Sequence, residues 1–160
     1  MGDMDKCGHL LDNMILQLIT FYSYEDIKLV IFTNKKNEKR WDYIKYLNHN
    51  FSNDKEIRFF ASDEEDTKAI GQYMDYMVKV RENMKDGAAE EKPYYIIISD
   101  AFENIKKFDF AKTITEAEDN LGFSLIMLEN KLSKLPSKCN NFISLSGKQA
   151  TILKNSFEEQ

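Results

Sequence analysis

Hydrophobic positions along this chain follow two alternating rhythms. In residues 9–21, Leu10, Leu11, Met14, Ile15, Leu18 and Ile19 recur at helical spacing, which predicts an amphipathic helix with a buried stripe. The polar stretch Tyr22-Ser23-Tyr24-Glu25-Asp26 breaks that period. Ile27-Lys28-Leu29-Val30-Ile31-Phe32 follows as a nearly continuous apolar run, expected of a central strand covered on both faces. A second helix is predicted over 38–47, with Trp41, Tyr43, Ile44 and Leu47, and a short strand over 57–61. Ser62 followed by Glu65 reads as a capping box, in which each side chain satisfies an orphaned helix N–H. The long helix it opens presents Ala69, Ile70, Tyr73, Met74, Met77 and Val80 or Met84 to the core, leaves Tyr76 outside, and ends near Asp86-Gly87, where glycine accepts a left-handed cap.

The polar residues 87–93 predict a mobile surface connection, not a domain boundary. Beyond them come a strongly buried strand over 94–99, a helical stretch reaching about residue 118, a strand over 123–128 after Gly122, a helical turn within 131–139 and closing strands at 141–145 and 150–153. Strands alternating with helices through short connections argue for an α/β domain over residues 1–160, a mostly parallel sheet with helices on both faces. No internal repeat or low-complexity tract interrupts it.

Composition narrows the picture. A chain of 160 residues, 42% hydrophobic, can bury one real core. Its charges are interspersed and sum to −5, so nothing draws it to a phosphate backbone, and no basic stripe interleaved with aromatics marks a nucleic-acid groove. The run Lys35-Lys36 to Lys39-Arg40, broken by Asn37 and Glu38, reads as solvated surface. No apolar stretch approaches the roughly 20 residues that span a bilayer, and no signal pattern opens the chain, so this segment is expected to be soluble and cytosolic without direct membrane insertion. Cys7 and Cys139 stand far apart as free thiols, and His9 and His49 lack metal-ligand spacing, so no metal is expected.

Candidate chemistry is thin. A phosphate cradle needs glycines to turn the backbone and aim N–H groups at an anion, completed by Lys and Ser or Thr. None of Gly2, Gly8, Gly71, Gly87, Gly122 and Gly147 has that context; Gly147-Lys148 is followed by Gln149, and Phe142 stands five residues before it. Ser23, Ser62 and Ser99 lack a nucleophile elbow. Glu64-Glu65 and Glu90-Glu91 read as helix-dipole and solubilising acids. Asp100 alone sits where open α/β sheets bind ligands, at the carboxyl end of a central strand. That is the position of a metal-binding Asp in P-loop ATPases, yet Ala101 follows it and the next acid is Glu103; a turn or N-cap role is the bland alternative.

His9-Leu10-Leu11-Asp12-Asn13-Met14-Ile15-Leu16-Gln17-Leu18-Ile19-Thr20-Phe21-Tyr22-Ser23-Tyr24-Glu25-Asp26-Ile27-Lys28-Leu29-Val30 resembles the region after the membrane helices in EssC-type ATPases of type VII secretion systems, which are FtsK/SpoIIIE-like. Trp41-Asp42-Tyr43-Ile44-Lys45-Tyr46-Leu47-Asn48-His49, Ile57-Arg58-Phe59-Phe60-Ala61, residues 94–100, Asn120-Leu121-Gly122-Phe123-Ser124 and Leu135-Pro136-Ser137-Lys138-Cys139 look like that family's motifs in the same order. The resemblance covers about residues 9–146. It implies a RecA/P-loop-ATPase-like three-layer sandwich with a degenerate nucleotide site, in which Asp100 holds a Walker B-like position.

It further implies a non-catalytic scaffold or regulatory module beside motor domains that carry intact phosphate loops. The expected partners are those ATPase domains and secretion-system subunits, with an oligomer in the full-length protein. The expected place is the cytoplasmic side of a bacterial cell-membrane protein, of which this chain is an excised piece with Met1-Gly2-Asp3 as a remnant. No cofactor is expected; ATP and Mg enter only under the alternative of a divergent nucleotide-binding module that uses Asp100 for magnesium.

Overall fold

The central strand β1 (Ile27–Phe32) is buried at every position. The computed structural model describes residues 4–84, 86–129, 141–146 and 149–154. The helix α1 (Met4–Phe21) precedes β1; a 3-10 turn (Glu38–Trp41) and the short α2 (Asp42–Lys45) lead to β2 (Phe60–Ala61); α3 (Glu64–Glu82) crosses to β3 (Tyr94–Ser99); α4 (Phe102–Ile105) and α5 (Asp109–Glu116) lead to β4 (Phe123–Met127). The four strands pair in the order β2-β1-β3-β4, all parallel, as the helical alternation requires. A separate antiparallel hairpin joins β5 (Asn141–Ser146) to β6 (Gln149–Lys154).

Two apolar layers sandwich the sheet. On one face α3, α4 and α5 pack Ile70, Met74, Val78, Ile105 and Phe110 against Val30, Phe32 and Ile97. On the other, Leu11 and Ile15 of α1 join Trp41 and Ile44 over Leu29, Ile31, Ile96 and Ile98. This is the three-layer α/β arrangement. Gly71 sets the spacing between α3 and the segment before α5, since a Cβ there would stand 2.4 Å from the Phe108 ring.

Several local expectations change. Residues 38–47 form no continuous helix, because the chain tightens into a 3-10 turn that ends on the fully buried Trp41, while Tyr43 stays exposed. The strand over 57–61 pairs with β1 only at Phe60 and Ala61. Before that point the Asn50 amide fills the gap, donating to the Leu29 and Phe59 carbonyls at 2.8 Å each. The capping box gives way to Asp63, whose extended backbone lets its carboxylate accept from Asp66 N–H at 2.9 Å. Ser62 instead accepts from Lys35.

The core face of α3 runs through Thr67, Ile70, Gly71, Met74, Val78 and Arg81; Ala69 and Val80 face solvent, Tyr73 and Met77 are half-buried, and Tyr76 is exposed as expected. The helix stops at Glu82, short of Gly87. On α1 the buried stripe narrows to Leu11 and Ile15, with Leu10 and Met14 exposed. The helical turn expected within 131–139 lies outside the described residues.

Candidate functional site

Strand order reverses between β1 and β3, since β1 connects outward to β2 on one side and β3 to β4 on the other. At such a switch point the loops leaving the carboxyl ends diverge and open a crevice. Thr33 follows β1 and Asp100 follows β3, and the pairing of Phe32 with Ser99 sets them opposite one another one step further on. Ser62 and Asp63 follow β2 on the same rim.

Asp100 is held by the layer beneath it. Its Oδ2 accepts from Trp41 Nε1 at 3.0 Å. It does not cap α4, where Ala101 occupies the N-cap position without a side-chain bond, so the N-cap reading is corrected. Among the described residues its Oδ1, Thr33 Oγ1 and Arg40 Nε are buried without a hydrogen-bond partner. Arg40 departs from the expected solvated surface: its guanidinium lies 5.1 Å from the Trp41 ring and 3.9 Å from Asp12 of α1. Gly8 makes room for it, because a Cβ there would meet the guanidinium at 1.6 Å. Tyr43 also donates to Asp12, and partial desolvation of its hydroxyl, followed by that bond to Asp12, raises its phenol above the ordinary tyrosine range.

The rim turn after β1, Thr33-Asn34-Lys35-Lys36-Asn37, contains no glycine. Lys35 spends its ammonium locally, 3.1 Å from Ser62 Oγ, 3.4 Å from Glu38 and 3.7 Å from Asp63. Bonding to Ser62 and Lys35 holds the Glu38 carboxyl below its usual range. The described glycines with positive φ, Gly87 and Gly122, lie at the opposite, amino-terminal end of the sheet. Gly147 and Lys148 lie outside the described residues.

Other singled-out groups stay apart from this rim. Glu64 and Glu65 sit in the first turn of α3, where acids complement the helix dipole. His49 bonds the Tyr22 carbonyl at 2.9 Å, and Cys7 is a free, half-buried thiol. Among the described residues no three His, Cys, Asp or Glu side chains gather as a metal site. No described helix is long and apolar enough to cross a membrane.

Two buried cations escaped the sequence reading. Lys28 is 1% exposed, its Nζ without a hydrogen-bond partner among the described residues and 5.3 Å from the centre of the Tyr24 ring; its signal was a lone Lys inside an apolar run. Arg81 is 2% exposed and donates to the Ala88, Leu121 and Pro93 carbonyls, fastening the 87–93 connection and the approach to β4 onto α3. The surface connection expected there is therefore tied down at both ends, with Lys92 also paired to Asp26.

Comparison of the chain with protein-family models, curated proteins and solved structures finds no match.

Proposed function

We propose that this chain is a non-catalytic assembly or regulatory module of a type VII secretion ATPase of the FtsK/SpoIIIE type, working by contact while turnover takes place in neighbouring motor domains. The observation that carries this reading is the environment of Asp100. A magnesium-binding Asp works beside a glycine-rich backbone nest and a Lys that hold the phosphates. Here Asp100 is engaged by Trp41, the facing turn has no glycine, and Lys35 is engaged by Ser62, Glu38 and Asp63. The ordered motif resemblance from residue 9 to 146 supports the same assignment. It makes the chain a cytoplasmic part of a bacterial cell-membrane protein, with ATPase domains and secretion subunits as partners.

One observation favours a second reading. Among the described residues Asp100 Oδ1 and Thr33 Oγ1 are buried without a hydrogen-bond partner at a switch point, which suits a divergent nucleotide-binding module using Asp100 for magnesium.

Calorimetric titration with Mg-ATP separates the two. The contact reading expects neither micromolar binding nor hydrolysis; saturable hydrolysis abolished by Asp100→Asn establishes the second. In cells, deleting the region should impair secretion while Asp100→Ala leaves it nearly normal. An Asp100→Ala protein that stays folded and assembled yet stops secretion overturns the contact reading.

A further inference from the structure

At the amino-terminal end of the sheet, away from Asp100, a pocket of about 600 Å³ opens between the end of α1, the turn over 89–92 and β4. Leu18, Ile27, Ile96 and Ile126 give it apolar lining, and Asp26, Glu90, Glu91 and Lys92 line it as well, with Lys92 paired to Asp26 so that Glu90 and Glu91 supply the remaining charge. The volume and the mainly apolar lining are those of a binding pocket.

The pocket borders β4, the last strand in the order of the described sheet. In a parallel ladder each residue aims its N–H and C=O at the same neighbouring strand, and successive residues serve opposite neighbours. Gly122 O accepts from Tyr95 N–H and Leu128 N–H donates to Ser99 O. The residues between them at even numbers therefore face β3, and Phe123, Leu125 and Met127 aim their backbone groups outward. Among the described residues no strand pairs with that edge.

Open edges are normally blunted by charge, proline or a bulge. Phe123-Ser124-Leu125-Ile126-Met127 has neither a charge nor a proline. Its side chains from Ser124 onward are half-buried, whereas β1 is buried throughout. Among the described residues β4 therefore presents a row of outward backbone groups with neither charge nor proline to blunt it.

We propose that the outer edge of β4, with the pocket beside it, receives an extended segment of a partner polypeptide as a fifth strand. This rests on the contact reading above and specifies its surface. The backbone of the segment takes up the outward groups of Leu125 and Met127, and alternate apolar side chains enter the pocket over Ile96 and Ile126. Charge defines its flank: the segment carries Lys or Arg where it passes Glu90 and Glu91.

The test titrates a fluorescein-labelled peptide, Lys-Lys-Ile-Val-Leu-Val-Ser, into the full chain by anisotropy. Expected are saturable binding, slowed amide exchange at Leu125 and Met127, and a loss of at least about tenfold in affinity for the double variant E90K/E91K. Partial recovery is expected when the same variant meets Glu-Glu-Ile-Val-Leu-Val-Ser. Met127→Pro removes an outward N–H without touching the ladder to β3 and should abolish binding; should it unfold the chain, the charge swap and the exchange measurement decide. No saturable binding, binding indifferent to the charge reversal, or unchanged exchange at Leu125 and Met127 overturns the proposal. Sedimentation that finds the chain pairing with itself through this edge, in a manner abolished by Met127→Pro, assigns the edge to a second copy and overturns the partner. Peptide failure alongside a secretion defect on deletion removes the edge and keeps the contact function; the converse removes that function and keeps the edge.

Discussion

Trp41 Nε1 lies 3.0 Å from Asp100 Oδ2, so residues 59 positions apart join the helical layer to the end of the central strand β3. Trp41 is fully buried among Leu11, Ile15 and Ile44. An indole N–H at such a depth needs an acceptor, and Asp100 is the acceptor it has.

Breaking that bond from its two ends should give unequal losses. Trp41→Phe strips the carboxylate of its donor and opens space in the core, with an expected cost of about 2–4 kcal/mol. Asp100→Asn keeps an acceptor oxygen and should cost less than about 1 kcal/mol. Urea denaturation of the two variants checks this, and Trp41 is the chain's one tryptophan, so its emission reports the Asp100 variant directly. A loss for Asp100→Asn as large as that for Trp41→Phe would show that the indole N–H requires the charged carboxylate and not merely an acceptor oxygen.

Ile97 is 0% exposed in a strand covered on both faces. Ile97→Asp buries a carboxylate with no partner and should cost several kcal/mol, enough to unfold the chain at ambient temperature. Thermal melting monitored by circular dichroism is the measurement; a cooperative transition near that of the parent chain would show that this burial is wrong.

Arg81 spans three carbonyls, at 3.0 Å from Ala88, 3.3 Å from Leu121 and 2.8 Å from Pro93, and lies near the rings of Tyr95 and Phe123. Arg81→Met keeps the apolar stem but leaves those carbonyls unpaired, with an expected loss of about 2–4 kcal/mol. Lysine cannot restore a planar fork that reaches separate acceptors, so Arg81→Lys should recover little. Hydrogen exchange at Glu90 and Glu91 should quicken in both variants; unchanged protection there would confine Arg81 to the α3 core.

Burial holds the Lys28 ammonium below the ordinary lysine value of 10.5. The folded chain then releases this proton more readily than the unfolded one, so Lys28 makes stability rise with pH between its lowered value and 10.5. Tyr95 acts in the opposite sense above 10.0, because burial raises its phenol and unfolding lets it ionise. Lys28→Met should therefore stabilise the chain at neutral pH by about 1–3 kcal/mol and flatten the rise below pH 10. Urea midpoints at neutral and mildly alkaline pH test it, and a destabilised variant with the parent's slope would show that the ammonium finds compensation in the fold.

The sequence by itself determined the layers. The unbroken apolar runs at Ile27–Phe32 and Tyr94–Ser99 specify strands covered on both faces, and the helical segments between them force parallel pairing, because a crossover returns the chain to the same end of the sheet. Periodicity also located the long helix and excluded Tyr76 from its core, since both depend only on neighbours in sequence. Asp100 was legible as a rim residue for the same reason: it is the residue after a buried strand.

Whatever depended on distant partners came from the tertiary structure. It broke residues 38–47 into a 3-10 turn and a short helix beside a buried Trp41 bonded to Asp100, shortened β2 through the Asn50 amide, and moved the cap of α3 from Ser62 to Asp63. It buried Lys28 and Arg81, which polarity alone assigns to solvent, and turned a polar connection into a fastened one. Local pattern fixes a residue's preference for helix, strand or water. Which buried donor meets which acceptor is decided only when layers far apart in the chain come within hydrogen-bond reach, and there the cost of an unpaired polar group outweighs the smaller local propensities.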